Sequence, residues 1–515
     1  MLRAHQIVCA TGIVLVLAVT APQAGCFFVA DLDCAHFPSP SCFDGGVEEG
    51  GPDGGDSGPP PSCIPSQNSS PVASTCGVFV SSAKGNDTTG TGTQAAPFAT
   101  ITVALAKGSG ATIYACAGST PYSEALAVDK AVTLFGALDC GTWAYDATSK
   151  TQLTAPADAV PLALSSEASG SEVYDFAITA ANAMKDGGSS IAVAVDGATA
   201  SLARCDLTAG DAMAGLAGAS GGMQVAQANG GGTGDNAGTS GTQNGGAGGI
   251  NAVCSLTGGM GGGGGVIANG NGGDGLPGDM GNGGAAGVGD MGTGCSTTPN
   301  GSNGATSGFG PGATGIGTLD ANGYHGADGQ PGVDGTNGTS AGGGGGSKAS
   351  TTVHGAGGGG GGAGGCGGTH GAGGKAGGSS IALVSVGATV TMTGCALTSG
   401  KGESGGMGGD GQFGQQGGSA GLGGMGGTVA DACNGGKGGK GGDGGPGGGG
   451  LGGHSLGIAA TGTAPMLDAA TQGAIMVGVK GAGGAGGNMN QSANPGAGGM
   501  AFACWNFSSN AACSP

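Results

Sequence analysis

General acid–base chemistry needs two titratable side chains flanking one bond, and this chain offers few places where two could meet. It carries 32 Asp plus Glu against 13 Lys plus Arg, and Arg204 is the only arginine beyond Arg3. Asp129, Asp139 and Asp175 are single carboxylates that could do such work, although solvated surface carboxylates are the simpler expectation for all three. His36, His325, His354, His370 and His454 are scattered and no C-x-x-C pair occurs, so no metal site is expected. Gly218-Ala219-Ser220-Gly221-Gly222 and Gly402-Glu403-Ser404-Gly405-Gly406 satisfy G-x-S-x-G, but neither has the strand–turn–helix context of a nucleophile elbow. No catalytic residue and no cofactor are assigned. A net charge of −19 with only 9% charged residues leaves no basic patch for nucleic acid.

The remaining chemistry belongs to sulfur. Of 16 cysteines, Cys9 falls in an apolar leader and Cys26 ends it. The run from Ile7 to Val19, with Arg3 before it and small residues after it, reads as a secretory signal of residues 1–25. Gln23-Ala24-Gly25-Cys26 resembles the lipobox of bacterial lipoproteins, in which the cysteine is acylated; Gln23 departs from the usual aliphatic residue. The resemblance implies a lipid on Cys26 and the membrane as a partner. The other 14 cysteines are an even number suited to an oxidising compartment. Spacing suggests local pairs Cys34 with Cys42, Cys63 with Cys76, Cys116 with Cys140, Cys254 with Cys295 and Cys504 with Cys513. Cys205 with Cys395 is a further candidate, as a bridge or as a reduced sulfur stack.

That last pair comes from a repeat that organises the chain. Ser379 to Gly400 has an earlier copy running without a gap from Ser189 to Gly210, and a weaker third copy follows His454. Aligned positions Ile191/Ile381, Val193/Leu383, Ala200/Val390, Leu202/Met392, Cys205/Cys395 and Leu207/Leu397 are apolar or sulfur-bearing and are expected to face inward. The alternation breaks near Gly197-Ala198 and near Arg204, which divides each unit into three short strands. One such unit cannot cover its own apolar face, whereas stacked units can. The outward columns Asp196/Val386/Thr461, Arg204/Gly394 and Asp206/Ala396 keep no charge from copy to copy.

Val78-Phe79-Val80-Ser81, Gly85-Asn86-Asp87, Pro97-Phe98-Ala99-Thr100-Ile101 and Ala104-Leu105 resemble the opening segment of secreted bacterial proteins of the pectin-lyase-like right-handed parallel β-helix superfamily. The resemblance covers about residues 78–210 and the two later repeats. It implies an all-β solenoid, with residues 100–107 as a short helix over its open end. Members that cut polysaccharides present paired carboxylates, or a basic residue beside calcium. Neither an Asn-Thr-Asp nor a Gly-His-Gly element of the polygalacturonase type occurs here.

Most of the 133 glycines lie between the repeats. Gly435 to Gly453 and Gly272 to Gly287 place glycine at every third position. Period three with little proline argues against collagen. Polyglycine II rods, with three residues per turn, are one expectation; an unordered chain is the other, because glycine loses the most backbone entropy on ordering. The tracts resemble the glycine-rich portions of mycobacterial PE-PGRS surface proteins in composition, without the PE domain.

The expected organisation is a signal (1–25), a lipid-anchored Gly/Pro/Asp-rich tether (26–76), a β-helix part with capping helix (77–210), a glycine-rich insertion (211–378), a coil (379–400), a second insertion (401–453), a third coil (454–480) and a cysteine-closed end (481–515). The insertions are expected to leave from one corner of the solenoid. The expected role is an exported, non-catalytic surface or envelope protein, at the outer membrane, the cell surface or the periplasm, with glycans or other surface proteins as partners. A carbohydrate-active β-helix enzyme and an ice-binding or purely structural glycine-rich protein are the alternatives.

Overall fold

Short strands that alternate apolar and polar residues and stop at a left-handed corner can only bury their apolar face by lying beside their own repeats. The computed structural model, which describes residues 61–68, 70–108, 112–222, 226–487 and 494–513, is organised in that way. It is an all-β structure of three large sheets, visited in turn by the chain. Sheet 1 holds Val78–Val80, Thr112–Cys116, Thr133–Leu138, Ser171–Tyr174, Thr199–Ala203, Thr389–Thr393 and Met466–Leu467. Sheet 2 holds Leu126–Val128, Leu162–Leu164, Ser190–Asp196, Ser380–Val386, Ser455–Thr461, Ala501–Asn506 and Ala511–Ala512. Sheet 3 holds Tyr122–Ser123, Thr151–Thr154, Phe176–Thr179, Asp206–Thr208, Ala396–Thr398 and Ile475–Met476. All pairs in these sheets are parallel except the last in sheet 2, where Trp505 faces Ala512 antiparallel.

Register fixes the core. Leu126, Leu162, Val193, Leu383, Ile458 and Cys504 stack in sheet 2. Ile113, Leu134, Val173, Leu202, Met392 and Leu467 stack in sheet 1, and Leu153, Ile178, Leu207, Leu397 and Ile475 in sheet 3. These columns meet in one cluster, each buried Leu or Ile contributing about 1.5–3 kcal/mol of transfer free energy. The corners are left-handed residues: Gly197, Gly387 and Gly462 (φ 64°, 55° and 78°) before sheet 1, and Asp175, Arg204 and Gly394 (φ 62°, 54° and 61°) before sheet 3. The breaks near Gly197 and Arg204 are therefore real turns. The helix Ile101–Lys107 buries Ile101 and Ala104 against the core and is capped by the Thr100 hydroxyl, which accepts from the Val103 amide.

One inward assignment is corrected. Alternation is interrupted at Ala192, so Ala192 and Val193 both join the core while Ile191 turns outward. Ile191, Ile381 and Leu456 pack instead beneath a hairpin of Thr318–Asp320 and Gly323–His325, with Leu319 and Tyr324 above them.

The glycine tracts are not separate loops. The rod of residues 355–368 shows why: its amides are satisfied by neighbours at period three. Gly357, Gly360 and Ala363 donate to Asp235, Gly232 and Asn229; Gly355, Gly358 and Gly361 donate to Gly265, Gly262 and Gly259; Gly359, Gly362 and Gly365 donate to Cys433, Gly436 and Gly439. Its carbonyls accept from three further rods, through Gly338, Ala341 and Gly344, through Gly418 and Gly421, and through Gly246 and Gly249. Six neighbours surround one rod. Residues 355–366 are buried as a result.

The rods also prolong the sheets. Beyond the third strand of each repeat, Ala212, Gly215, Gly218 and Gly221 donate to Lys401, Ser404, Met407 and Asp410, while Gly402, Gly405 and Gly408 donate to Val479, Ala482 and Ala485. The stacking of 189–210 on 379–400 is direct, and the insertion between them is packed in layers continuous with it.

Two outcomes follow. A Cβ on Gly361 would fall on the Ala341 carbonyl oxygen, whereas at Gly308 it meets nothing within 4 Å. Gly361→Ala is expected to cost about 1–3 kcal/mol or more, as overpacking does, and Gly308→Ala to shift the urea midpoint little. Burial holds the pKa of His454 below the ordinary 6.5; its Nδ1 accepts from the Met500 amide at 2.9 Å and its Nε2 faces the Ile316 carbonyl at 2.8 Å. The unfolded chain binds the proton more readily, so stability is full above pH 6.5 and declines as pH falls from there toward the folded pKa. Thermal midpoints across that window should flatten in His454→Gln.

Candidate functional site

The corner before sheet 3 gathers the charged residues that the linear sequence keeps apart. Asp175 and Arg204 stand on successive rungs, each in the left-handed conformation that turns its side chain out of the strand. Arg204 grips Asp175 with both arms, Nε to Oδ1 and Nη2 to Oδ2, each at 2.7 Å. The Tyr145 hydroxyl adds a third bond to Oδ1 at 3.0 Å, and the guanidinium lies 5.7 Å from the centre of the Tyr174 ring. The paired carboxylate raises the Arg204 pKa further above its ordinary value. Asp175 is 4% exposed and accepts three hydrogen bonds, two on Oδ1 and one on Oδ2.

Beside it, over the outer face of sheet 3, lies a groove of about 580 Å³ lined by Ser119, Thr148, Ser149, Lys150, Gln152 and Asp206. Lys150 and Asp206 close a salt bridge of 2.6 Å across it. Lys150 and Tyr145 were not singled out in the sequence; the register, which sets residue 152 beside 177 and 177 beside 206, is a signal that could have drawn Lys150 toward Asp206, whereas Tyr145 lies outside these strands and has none.

The other carboxylates named from the sequence are elsewhere. Asp139 braces its own turn, accepting from the Gly141 and Thr142 amides and the Thr142 hydroxyl, and these bonds hold its pKa below the usual carboxylate range. Asp129 is exposed at a shallow hollow shared with Thr102, Leu105 and Lys130. No group of three or more His, Cys, Asp or Glu poised for a metal exists among the described residues.

The sulfurs are placed as follows. Cys26, Cys34 and Cys42 lie outside the described residues. Cys63 is joined to Cys76, Cys116 to Cys140 and Cys504 to Cys513. The pairing of Cys254 with Cys295 is corrected: Cys254 is bonded to Cys366 and Cys295 to Cys433, across 112 and 138 residues. Sequence proximity failed there because rod neighbours are set by the packing, not by the chain. Cys205 and Cys395 are buried free thiols.

The outermost rods form a different kind of surface. Along residues 407–425 every third position is exposed, reading Met407, Asp410, Phe413, Gln416, Ser419, Leu422 and Met425. On the rods flanking it Met213, Leu216 and Val479 are exposed as well. No family model, no curated protein and no solved structure matches the chain.

Removing Arg204 tests the corner. Arg204→Gln leaves the Asp175 carboxylate buried without its cation; breaking a fully buried pair costs about 3–5 kcal/mol, and the partial exposure of Arg204 reduces the expectation to about 2 kcal/mol. Lys150→Met, at a half-buried pair, should cost about 1 kcal/mol or less. Addition of Asp175→Asn to Arg204→Gln should recover part of the loss in urea titrations.

Proposed function

We propose that this chain is an exported, lipid-anchored, non-catalytic surface protein whose role is structural or adhesive. In this reading the three sheets are the faces of a right-handed parallel β-helix of the pectin-lyase-like type, and the rods are a polyglycine II lattice growing from it. The observation that carries the proposal is the row from Met407 to Met425: a rigid, hydrogen-bonded backbone displays one chemically varied side chain in three, over a length no compact pocket needs. The five disulfides among the described residues suit an oxidising, extracellular environment. No helix among the described residues is long and apolar enough to cross a membrane; in this reading attachment is by acylation of Cys26.

One observation favours a carbohydrate-active enzyme, namely the groove holding Lys150 and Asp206. It supplies a single carboxylate, already paired with Lys150, where glycoside hydrolysis ordinarily uses two. Glycans are therefore read as adhesion partners and not as substrates.

Cys26→Ala should move the protein from the membrane fraction to the soluble one; unchanged partition, with no acyl mass on the mature N-terminus, overturns the anchor. On a glycan array and in a polysaccharide-cleavage screen the mature chain should bind without cutting. Phe413→Asp should weaken that binding while leaving the thermal midpoint within the small range typical of surface changes. Release of reducing or unsaturated ends, abolished by Asp206→Asn, would replace the adhesive reading with the enzymatic one.

A further inference from the structure

Ten of the twelve described cysteines are in disulfides, and the two that are not sit directly on one another. Cys205 follows the Arg204 corner and Cys395 follows the Gly394 corner, and the strands after them run in register, Asp206 beside Ala396. The Cys205 amide donates to the Cys395 sulfur at 3.3 Å. The Cys205 sulfur lies 3.4 Å from the Ala203 carbonyl, and the Cys395 sulfur 3.4 Å from the Leu202 carbonyl. Adjacent parallel strands bring equivalent backbones to about 4.8 Å, inside the roughly 4.4–6.8 Å that a disulfide spans between Cα atoms. The two residues are 0% and 2% exposed.

We infer that Cys205 and Cys395 are a latent vertical disulfide, kept reduced by burial and closed by a small-molecule disulfide when the corner opens. The first step is attack of the Cys395 thiolate on one sulfur of the oxidant, forming a mixed disulfide and releasing one thiolate. Cys205 then loses its proton and attacks the Cys395 sulfur, expelling the second thiolate; two protein thiols are oxidised and one disulfide is reduced to two thiols. The order follows from the contacts. Hydrogen bonding from Cys205 favours the Cys395 thiolate, while burial pushes the Cys205 thiol up.

The bridge would tie residues 190 apart, so the closed loop would contain the whole first glycine insertion. The five disulfides among the described residues leave that seam between the two repeats without a covalent link. Its opening separates the sheets and the rods together, since both continue through the same rungs.

The test exposes the mature full chain to oxidised glutathione, in native buffer and in urea at the unfolding midpoint, followed by dilution, alkylation and peptide mapping. Brief native exposure should leave both thiols alkylatable after unfolding. Cycling through the midpoint should yield a peptide joining Cys205 to Cys395, and raise the urea midpoint above that of the Cys205→Ser/Cys395→Ser variant. In Cys205→Ser, Cys395 should hold a glutathione adduct under the same cycling. Two alkylated cysteines after cycling, or either one joined to a different cysteine, overturns the inference. Should the chain not refold from urea, prolonged native exposure, where local opening supplies the path, is judged by the same linked peptide.

Discussion

Backbone amides of neighbouring rods reach each other only because no Cβ stands between them. At Gly358, Gly361, Gly441 and Gly447 an added methyl would land on the carbonyl of the next rod. The constraint is expensive to meet: fixing a residue costs about 1–2 kcal/mol of backbone entropy, and glycine loses the most. A hydrogen bond returns only about 0.5–1.5 kcal/mol net. A lattice of this kind cannot stand on a few contacts. It stands here because an interior rod satisfies its amides and carbonyls on six sides, because the Cys254–Cys366 and Cys295–Cys433 bridges restrict the unfolded chain, and because the strand sheets set the starting register.

The dependence runs in both directions. Sheet 3 ends at Thr208, Thr398 and Met476, and the rods that follow keep the same pairing outward, Ala209 donating to Thr398 and Ser399 to Met476. The returning rods lead into Ser380 and Ser455, which lie side by side with each other and with Ser190 in sheet 2. Each insertion thus leaves and re-enters on matching rungs. Its length can vary widely, but the rungs cannot slip without breaking the columns of Leu207 on Leu397 and Val193 on Leu383.

Much of this was legible in the sequence. The ungapped copy at Ser189 and Ser379 gives the register directly, since residues two apart share a face, and the phase breaks at Gly197 and Arg204 mark the corners. What period two could not show is the interruption at Ala192. The consequence is an outward Ile191 covered by a hairpin some 130 residues later in the chain, a contact with no local signature. The glycine period was equally plain, whereas the identity of each rod's neighbours was not. That choice is made by packing in three dimensions, which is also why Cys254 and Cys295 could not be paired by distance along the chain. The Asp175–Arg204 pair was half visible: both residues were named, but only the stacking of their corners brings them together.

A six-sided rod leaves room for few and small side chains, Ala356, Ala363 and the bridged Cys366 in the rod of residues 355–368, and a rod at the surface leaves room at one position in three. Fold and surface chemistry are thereby carried by different residues. Two positions of each turn are mostly glycine or, where the Cβ finds a gap as at Ala341, Ala356 and Ala363, alanine, with Gln412 and Gln415 as exceptions whose side-chain amides bond to the neighbouring rod. The third is almost free, which accounts for a row containing methionine, aspartate, phenylalanine, glutamine, serine and leucine on one uninterrupted backbone. Such a scaffold can alter what it displays without altering how it folds. The strand corner follows a different rule: there Asp175 with Arg204, and Lys150 with Asp206, are several residue types fixed together at one place by the stacking of successive rungs.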